Sequence, residues 1–509
     1  SLRLGVAKVF GRIRSEGTPL GYILAFCVVF AAYTTCTQPK FTPRPMIRLA
    51  RHRSARVSPR RLRLLYTLGG GKGVSRAAIE RCLGKRGGAW RRLNYSTTSG
   101  GVTVINSLSG DRREIRPQPS NGLVTWYACG PTVYDEAHIG HARTYVTFDI
   151  LLRILVDVFG YELEYAMGVT DIDDKIIKRA KESKEHPLNL ARRFEYSFFE
   201  DMKSLNVRPP AIRLRVTEHI PRIIEYINKI VQKGYAYHGE NGDVYFDVSA
   251  YESEGNFSYS QFRELQEAHT WSGGGEQGNE STGKRGNADF ALWKGFKQGI
   301  DHDGYSWDAP WGRGRPGWHI ECSAMATDLF GDHNLTVHSG GVDLQFPHHN
   351  NEIAQCCAHS GPEGSWKDTI WLHTGHLHIQ GLKMSKSLKN FITIKNFLAD
   401  YSADELRIYC LQHHYASKVD FTADGLLAAR AVLKKFKELK ARIEYISKQS
   451  SGFSENVLEV SELSGEFSNL KLERALLATR KRVRSSLADN FDTPTALSAL
   501  LSLATTAQR

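Results

Sequence analysis

Acidic residues are nearly absent from the first hundred positions. Only Glu16 and Glu80 oppose twenty lysines and arginines there, a balance of +18, whereas the remaining 409 residues hold 47 bases and 52 acids, a balance of −5. The formal net charge of +13 therefore belongs to this leader. It does not identify the body of the chain as a nucleic-acid-binding protein.

Long apolar runs are also missing. The run at residues 20–33 has 14 residues, fewer than the ~20 that a membrane-spanning helix needs, so we expect no membrane partner. A signal anchor at this run is the alternative. An arginine-rich, serine-bearing and acid-poor start is typical of a mitochondrial transit peptide, which predicts a location in the mitochondrial matrix. We expect translation to begin at Met46 and cleavage to fall near residues 95–98.

The cysteines show no disulfide framework. Eight of them are scattered along 509 residues without a repeated spacing, which is typical of a reducing compartment. A cysteine with a special role is then expected to serve a metal or catalysis. The apolar fraction of 41% is ordinary for a globular protein of two or three domains.

Apolar patterns of strand and helix alternate in the body of the chain. Residues 123–128 and 162–167 form short apolar runs, and residues 144–159 between them repeat apolar side chains at helical spacing. This order predicts an α/β fold with a Rossmann-like parallel sheet, whose ligands bind at the carboxyl ends of the strands. The predicted division of the chain is a basic leader (1–100), a first catalytic half (101–235), an insertion (236–315), a second catalytic half (316–401) and a stem junction with an α-helical bundle (402–509).

The second catalytic half is predicted from a similar alternation. Strands are expected at residues 335–338 and 369–378, with a helix at residues 349–360 between them. Within the preceding insertion, residues 250–290 are rich in glycine and polar side chains, which is typical of a surface segment.

A motif with two histidines follows the first predicted strand. In His138-Ile-Gly-His141, Gly140 lets a phosphate backbone approach closely, and the following helix N-terminus favours negative charge. By itself the motif is equally compatible with a loop that carries two surface histidines.

A second motif places two lysines in a loop. Lys383 and Lys386 are three residues apart in Lys383-Met-Ser-Lys-Ser387, and they can neutralise charge that develops on an α-phosphate under attack by a carboxylate. A solvated basic loop is the alternative for this motif alone. The two motifs occur in this order roughly 240 residues apart, and together they resemble the HIGH and KMSKS signatures of class I aminoacyl-tRNA synthetases.

Further motifs narrow the resemblance to the cysteinyl-tRNA synthetases, and the transit-like leader indicates their mitochondrial type. The motifs that match this family between residues 101 and 430 are CGPTVYD, HIGHAR, TDIDDKIIKRA, DFALWK, GRPGWHIECSAM and HSGGVDLQFPHH. The resemblance implies a ligase that activates L-cysteine with ATP and Mg²⁺ and transfers it to tRNA(Cys). Its implied partners are therefore the tRNA, cysteine and ATP, and we expect a monomer.

The resemblance also implies one zinc ion per chain, held by Cys129, Cys322, His348 and Glu352. Two thiolates, an imidazole and a carboxylate suit Zn²⁺, and the spacing of four between His348 and Glu352 places them on one helical face. Serine is nearly isosteric with cysteine, and apolar contacts separate such analogues poorly. Since zinc binds a thiolate in preference to a hydroxyl, metal ligation would replace an editing step. Trp318, four residues before Cys322, would wall the side-chain pocket, to which Cys129 would also belong.

The ATP site is likewise implied by the resemblance. The residues expected to hold adenosine and its ribose are His338, Gly340, Gly341 and Asp343, with Gly140 and Lys386 completing the nucleotide site. The residues expected to act on the phosphates are His138, His141, Lys383 and Lys386. Two positions depart from the family pattern: Asn350 replaces the usual glutamate, and Lys389 replaces a glycine found in many members. Since neither is among the implied zinc ligands, we expect the metal site to survive.

Two other functions are compatible with parts of these patterns. Ligases that join cysteine to an amino sugar use the same zinc site and adenylate chemistry, but the long helical C-terminal region and the transit-like leader argue against them. A non-catalytic descendant of a synthetase is disfavoured because both signatures and all four metal positions are intact. The sequence ends at Arg509, before the family's anticodon-reading domain, so we expect a truncated product that forms adenylate but charges tRNA poorly.

Overall fold

The computed structural model describes residues 101–508. The gaps within this range are 255–257, 260, 263–282, 300, 332–333, 362–365, 367, 380, 384–390 and 451–461. The predicted leader with Met46, the centre of the predicted surface segment, and Lys386 and Lys389 all lie outside the described residues.

The described elements follow the predicted alternation of strands and helices. In chain order, the strands are β1 (Thr103–Ile105), β2 (Arg112–Glu114), β3 (Val124–Ala128), β4 (Leu163–Val169), β5 (Ile212–Arg215), β6 (Ala236–His238), β7 (Val244–Phe246), β8 (Phe290–Gly295), β9 (Gly314–Pro316), β10 (Val337–Gly341), β11 (Ile370–Thr374), β12 (Leu377–Ile379), β13 (Leu382–Lys383) and β14 (Val419–Phe421). The α-helices are α1 (Ile139–Arg153), α2 (Asp174–Ser183), α3 (Pro187–Ser204), α4 (Ile220–Gln232), α5 (Val248–Glu254), α6 (Trp318–Phe330), α7 (Asn350–Ser360), α8 (Ile394–Asp400), α9 (Ala403–Leu411), α10 (Ala423–Ser450), α11 (Glu462–Ala488) and α12 (Thr493–Gln508).

A five-stranded parallel sheet forms the centre of the catalytic region. Its strand order is β11-β10-β3-β4-β5, and each neighbouring pair is parallel. All five residues of β3 are buried, as expected for a strand that is covered on both faces. The chain continues from β3 to β4 on one side and returns to β10 on the other, which opens a ligand crevice at the carboxyl ends of β3 and β10. The predicted α/β class is confirmed.

The middle of the chain forms a separate antiparallel sheet. Its strand order is β6-β7-β8-β9, and it lies in the sequence between β5 and β10 of the parallel sheet. An insertion therefore divides the parallel sheet, as the sequence predicts. The domain boundaries that we placed at 235 and 315 stay predictions.

The apolar run at residues 369–378 is not one strand, contrary to the prediction. β11 ends at Thr374, and β12 begins at Leu377 in a different sheet with β13 and β14. Gly375 lies at the break, where a Cβ atom would be 2.1 Å from the backbone oxygen of Ser417. The close approach of a distant backbone segment diverts the strand. Such a contact cannot be predicted from the spacing of apolar residues in the run itself.

The described residues of the C-terminal region are mostly helical and form α9 to α12, with the strand β14 between α9 and α10. Apolar side chains of α12 such as Leu497 and Leu500 join the same core as the helix α1 and the strand β3. Within the described part of the chain, no helix has the length and apolar character needed to cross a membrane.

Candidate active site

The structure brings together the four residues predicted to hold zinc: Cys129, Cys322, His348 and Glu352. One ligand atom from each lies within 4.8 Å of the other three. The Cys129 thiol donates to the Cys322 sulfur at 3.7 Å, and the His348 Nε2 atom is 3.0 Å from the Glu352 Oε1 atom. All four side chains are buried. The geometry therefore meets the first requirement of the predicted metal site, and the ligand roles remain a prediction.

Four elements supply these four residues. Cys129 follows β3 directly, at the carboxyl end of the parallel sheet, and Cys322 lies within α6. His348 belongs to a π-helical turn over Gln345–His349, and Glu352 lies in the first turn of α7. Because the turn runs into the helix, the two side chains lie on one face, as their spacing predicts.

Two of the four predicted donors, Cys322 and Glu352, are already anionic at neutral pH. Burial would raise the pKa of Glu352, but His338 and His348 outweigh it and lower that pKa to about 2. The hydrogen bond from Cys129 lowers the pKa of Cys322 to about 6, whereas burial raises the pKa of Cys129. At neutral pH the site therefore holds two anions, a carboxylate and a thiolate. Two sulfurs, an imidazole and a carboxylate are donors that zinc prefers in four-coordinate sites, so the residues fit this ion.

A second layer of histidines, which sequence reasoning missed, surrounds the donors. The His349 Nε2 atom is 3.4 Å from the Cys129 sulfur, and its Nδ1 atom is 2.7 Å from the His373 Nε2 atom. The His319 Nδ1 atom lies 3.0 Å from the Nδ1 atom of His348. Burial lowers the pKa of His319, His349 and His373, so these three imidazoles are neutral. They can orient the metal donors without adding charge.

His338 lies in this layer and is fully buried. Its Nε2 atom is 2.8 Å from the Glu352 Oε2 atom, and its ring stacks on Trp371 with 4.4 Å between centroids. Cys129, His338, His349 and Glu352 also have ligand atoms within 4.8 Å of one another. The structure thus places His338 against the metal donors, and its predicted contact with adenosine stays a prediction.

The other predicted adenosine residues lie at the end of β10. Gly340 is buried, and a Cβ atom on it would be 2.8 Å from the His349 ring. Gly341 follows it, and Asp343 is exposed. The carboxylate of Asp343 lies close enough to His138 to act on that imidazole's pKa. The end of β10 therefore lies between the predicted metal donors and the histidine motif, with Gly340 near the former and Asp343 near the latter.

Trp318 lies beside the predicted metal donors. Its ring stacks on His348 with 4.4 Å between centroids, and the Lys175 Nζ atom lies 5.9 Å from its centroid. Both contacts favour the observed orientation of the ring. The role of Trp318 as a wall of the substrate pocket stays a prediction.

The histidine motif begins α1 instead of preceding it in a loop. His138 is the N-cap, and its Nδ1 atom accepts hydrogen bonds from the backbone N–H groups of Gly140 and His141. The His141 Nδ1 atom accepts from the His138 backbone N–H at 3.3 Å, and the two rings stack at 3.9 Å. Since both Nδ1 atoms accept, each ring carries its proton on Nε2. Sequence periodicity begins only at Thr144 because the first turn is used for capping.

Burial lowers the pKa of His138 to about 4 and that of His141 to about 3. Both imidazoles are consequently neutral at physiological pH. They can donate Nε2–H groups to phosphate oxygens next to the positive end of the helix dipole.

The segment that follows the lysine motif is bonded to the start of α1. The Ile139 N–H donates to the Ile392 carbonyl at 3.0 Å, and the Ile394 N–H donates to the Ala137 carbonyl at 3.1 Å. Lys383 pairs with β12 through its backbone, and Lys386 is outside the described residues. The chain after the lysine motif is thus fixed against the histidine motif.

Comparison with known proteins identifies the family of this chain. Residues 116–431 match the family described as tRNA synthetases class I (C) catalytic domain. The chain is 41% identical to a probable mitochondrial cysteine–tRNA ligase of Xenopus tropicalis, over 85% of this chain and 70% of the relative. The chain belongs to the cysteine–tRNA ligase family of class I aminoacyl-tRNA synthetases.

Other members of the cysteine–tRNA ligase family match over shorter stretches. A probable mitochondrial cysteine–tRNA ligase of Dictyostelium discoideum is 42% identical, over 74% of this chain and 64% of the relative. A cysteine–tRNA ligase of Pyrococcus abyssi is 47% identical, over 65% of each chain. The matched region thus spans about two thirds of the length of these relatives.

Solved structures show the same class I fold at low sequence identity. A Mycobacterium tuberculosis methionyl-tRNA synthetase with methionyl-adenylate has a TM-score of 0.55 and 16% identity, over 76% of this chain and 82% of that chain. An Agrobacterium radiobacter K84 LeuRS in a ternary complex with tRNA has a TM-score of 0.52 and 12% identity, over 77% and 81%. These likenesses concern the fold alone.

Asn350, the departure from the cysteine–tRNA ligase family pattern, holds the insertion against α7. Its side-chain oxygen accepts from the Phe262 N–H at 3.4 Å, and Asn351 accepts from the Tyr259 hydroxyl at 2.6 Å. Phe262 is fully buried, with an edge-on contact to His373. With an amide at position 350, ligand atoms of the four donors lie within 4.8 Å of one another, and the survival of the metal site stays a prediction.

The antiparallel sheet of this family member is also tied to the first turn of α2. Asp174 accepts hydrogen bonds from Lys294 in β8 and from Arg315 in β9, and Arg315 also donates to Asp301. Burial would raise the pKa of Asp174, but the two cations outweigh it and lower that pKa to about 2. Asp174 precedes Lys175, so this ionic cluster positions the cation that lies over Trp318.

Proposed function

We propose that this chain activates L-cysteine with Mg-ATP and transfers it to tRNA(Cys) in the mitochondrial matrix. The observation that carries the proposal is the convergence of Cys129, Cys322, His348 and Glu352 in a crevice that also contains the histidine motif. The names of the Xenopus and Dictyostelium relatives support the mitochondrial assignment.

Zinc held by the four donors would supply a Lewis acid that binds the substrate thiolate and discriminates against serine. The protein's own groups define the rest of the pocket. Trp318 would limit its width, and the neutral imidazoles of His319 and His349 would keep the donors oriented. Binding of the substrate sulfur to the metal would explain how one site separates cysteine from serine, because apolar contacts alone separate such analogues poorly.

The adenylation step needs positioning and charge stabilisation. The carboxylate of cysteine would attack the α-phosphate of ATP, and pyrophosphate would leave. We assign the Nε2–H groups of His138 and His141, together with Lys383 and Lys386, to the phosphates. The terminal adenosine of the tRNA would then accept the aminoacyl group and release AMP.

Two assays test the proposed function. Cysteine-dependent ATP–pyrophosphate exchange tests the first step, and charging of a tRNA(Cys) transcript tests the second. Exchange without tRNA charging, but with transfer to an amino sugar, would instead identify the alternative ligase. Absence of exchange in zinc-loaded protein would contradict both.

Zinc binding is expected to release about two protons per chain at pH 7.5. Burial would lower the pKa of His348, but Glu352 and Cys322 outweigh it and raise that pKa to about 10. His348 and Cys129 are therefore protonated before binding, whereas Cys322 and Glu352 are already anionic. Isothermal titration calorimetry in buffers of different ionisation enthalpy measures the released protons. Release of four protons would show that the donor charges are wrong.

Replacing His338 with alanine is expected to weaken zinc binding by about 10–100-fold. The Glu352 Oε2 atom would lose its hydrogen bond, and the carboxylate would no longer be held in place. Competition with a chromophoric chelator measures the dissociation constant. His413→Ala is a matched control because His413 lies in the helical region and contacts the Tyr409 carbonyl. An unchanged constant for His338→Ala would exclude this role.

A further inference from the structure

The buried hydroxyl of Tyr127 has no part in the function proposed above. Tyr127 lies in β3 two residues before Cys129, so the two side chains lie on the same face of the sheet. Its side chain is fully buried, and its hydroxyl has no hydrogen-bond partner among the described residues. A buried hydroxyl in this state is unfavourable, and it needs an explanation.

The fold leaves space for this hydroxyl at Gly168 in β4. A Cβ atom on Gly168 would lie 2.2 Å from the Tyr127 hydroxyl oxygen and 3.5 Å from the terminal methyl carbon of Met325. Gly168 does not have a positive φ, so its backbone conformation does not require glycine. The absence of a side chain at position 168 instead creates a slot, which the hydroxyl occupies.

The sulfurs of the predicted metal donors lie on the side of the sheet to which Tyr127 points. The Cys129 sulfur, on the same face as Tyr127, is 3.7 Å from the Cys322 sulfur. A phenol is protonated at neutral pH, so the hydroxyl can donate a hydrogen bond to a sulfur. Met325, which borders the slot, lies one helical turn after Cys322 in α6.

We propose that the Tyr127 hydroxyl donates a hydrogen bond to the Cys322 sulfur in the metal-loaded site. Tyr127 is then a positioning residue for this ligand, and the inference rests on the metal site of the proposed function. A hydrogen bond to a thiolate ligand fixes its orientation and withdraws charge from the sulfur. The sulfur of the incoming cysteine then meets a more electrophilic ion.

The test is Tyr127→Phe in the full chain, which removes one oxygen atom. We expect zinc affinity, measured by chelator competition, to fall about 10-fold or more. The sulfur-to-metal charge-transfer band of the cobalt-substituted chain is expected to shift in energy. The melting temperature of the metal-free chain should stay the same or rise, because an unpartnered hydroxyl has been removed.

Tyr415→Phe is the matched control. Its hydroxyl is bonded to Asn490 in the helical region, and its loss should leave zinc affinity and the cobalt spectrum unchanged. Wild-type affinity and an unshifted band in Tyr127→Phe would overturn the inference while leaving the proposed function intact. A wild-type chain that binds neither zinc nor cobalt would overturn both.

Alanine at position 168 tests where the hydroxyl lies. Gly168→Ala should weaken zinc binding in the wild-type background, because the new methyl group must displace the Tyr127 hydroxyl. The same substitution should reduce zinc affinity by a smaller factor in a Tyr127→Phe background, because the hydroxyl that contacts the new methyl group is absent there. Equal costs in the two backgrounds would show that the hydroxyl is not in the slot, and the inference would then be wrong.

Discussion

Replacing Cys322 with serine is expected to abolish stoichiometric zinc binding and to lower cysteine-dependent pyrophosphate exchange by more than about 100-fold. Loss of an outer partner of a metal ligand costs about 10–100-fold, and loss of the ligand itself should exceed that. The pKa of Cys322 is lowered to about 6, so its sulfur is one of two anionic donors at neutral pH. A serine hydroxyl does not ionise in this range and is a poor zinc ligand. Metal analysis and exchange kinetics measure the two effects.

Cys410→Ser is the control for this experiment. Cys410 is a buried cysteine in α9, and none of the possible metal-binding groups among the described residues includes it. It should retain zinc and exchange activity. ATP affinity should be similar in wild type and Cys322→Ser, because the histidine motif is formed by other residues. Full exchange activity in a zinc-free Cys322→Ser chain would show that the donors do not select the substrate.

Replacing His138 with asparagine is expected to lower the rate of adenylate formation by about 10²–10³-fold, the usual cost of one donor to a developing charge. The asparagine oxygen can replace Nδ1 as the acceptor for the first turn of α1, since asparagine is a good N-cap. The side chain is too short to replace the Nε2–H group at the phosphates. Stability should therefore change little while the rate falls.

Two further measurements separate the role of His138 as a hydrogen-bond donor to the phosphates from its role as the N-cap of α1. One uses the His138→Gln variant, and the other follows the rate as a function of pH. A glutamine amide reaches further and should recover part of the rate. Burial lowers the pKa of His138 to about 4, so protonation begins only as the pH falls towards that value. The rate should accordingly show no inflection from this group near pH 6.5. Pre-steady-state adenylate formation measures both. A His138→Asn rate equal to wild type would remove His138 from the phosphate site.

The parallel sheet could be predicted because its strands carry their own signals. β3 and β4 are short apolar runs separated by a helical pattern, and this order requires a parallel connection. The start of α1 and the break after β11 could not be predicted in the same way. The first depends on a histidine that caps a helix, and the second on contact between Gly375 and a segment about forty residues away.

The four donors could be proposed from sequence because the motifs around them resemble a known family. The histidine layer and the Tyr127 hydroxyl were missed because their neighbours are distant in the sequence. His338 and His373 lie in β10 and β11, and parallel pairing of these strands brings them beside α7. A lone histidine in an apolar strand gives no sign of such a partner. Only the register of the sheet supplies that information.

The wide separation of the four donors along the chain affects how well the protein resists unfolding and proteolysis. Cys129 lies 193 residues from Cys322 and 223 residues from Glu352. An ion held by these donors would act as a reversible cross-link that closes very long loops, and it would remove much of the conformational entropy that unfolding gains. The free energy of unfolding should therefore rise with the logarithm of the free zinc concentration above the dissociation constant, and proteolysis through the unfolded state should slow accordingly. Zinc shortage would then lower the catalytic rate and would also shorten the time before the protein is degraded.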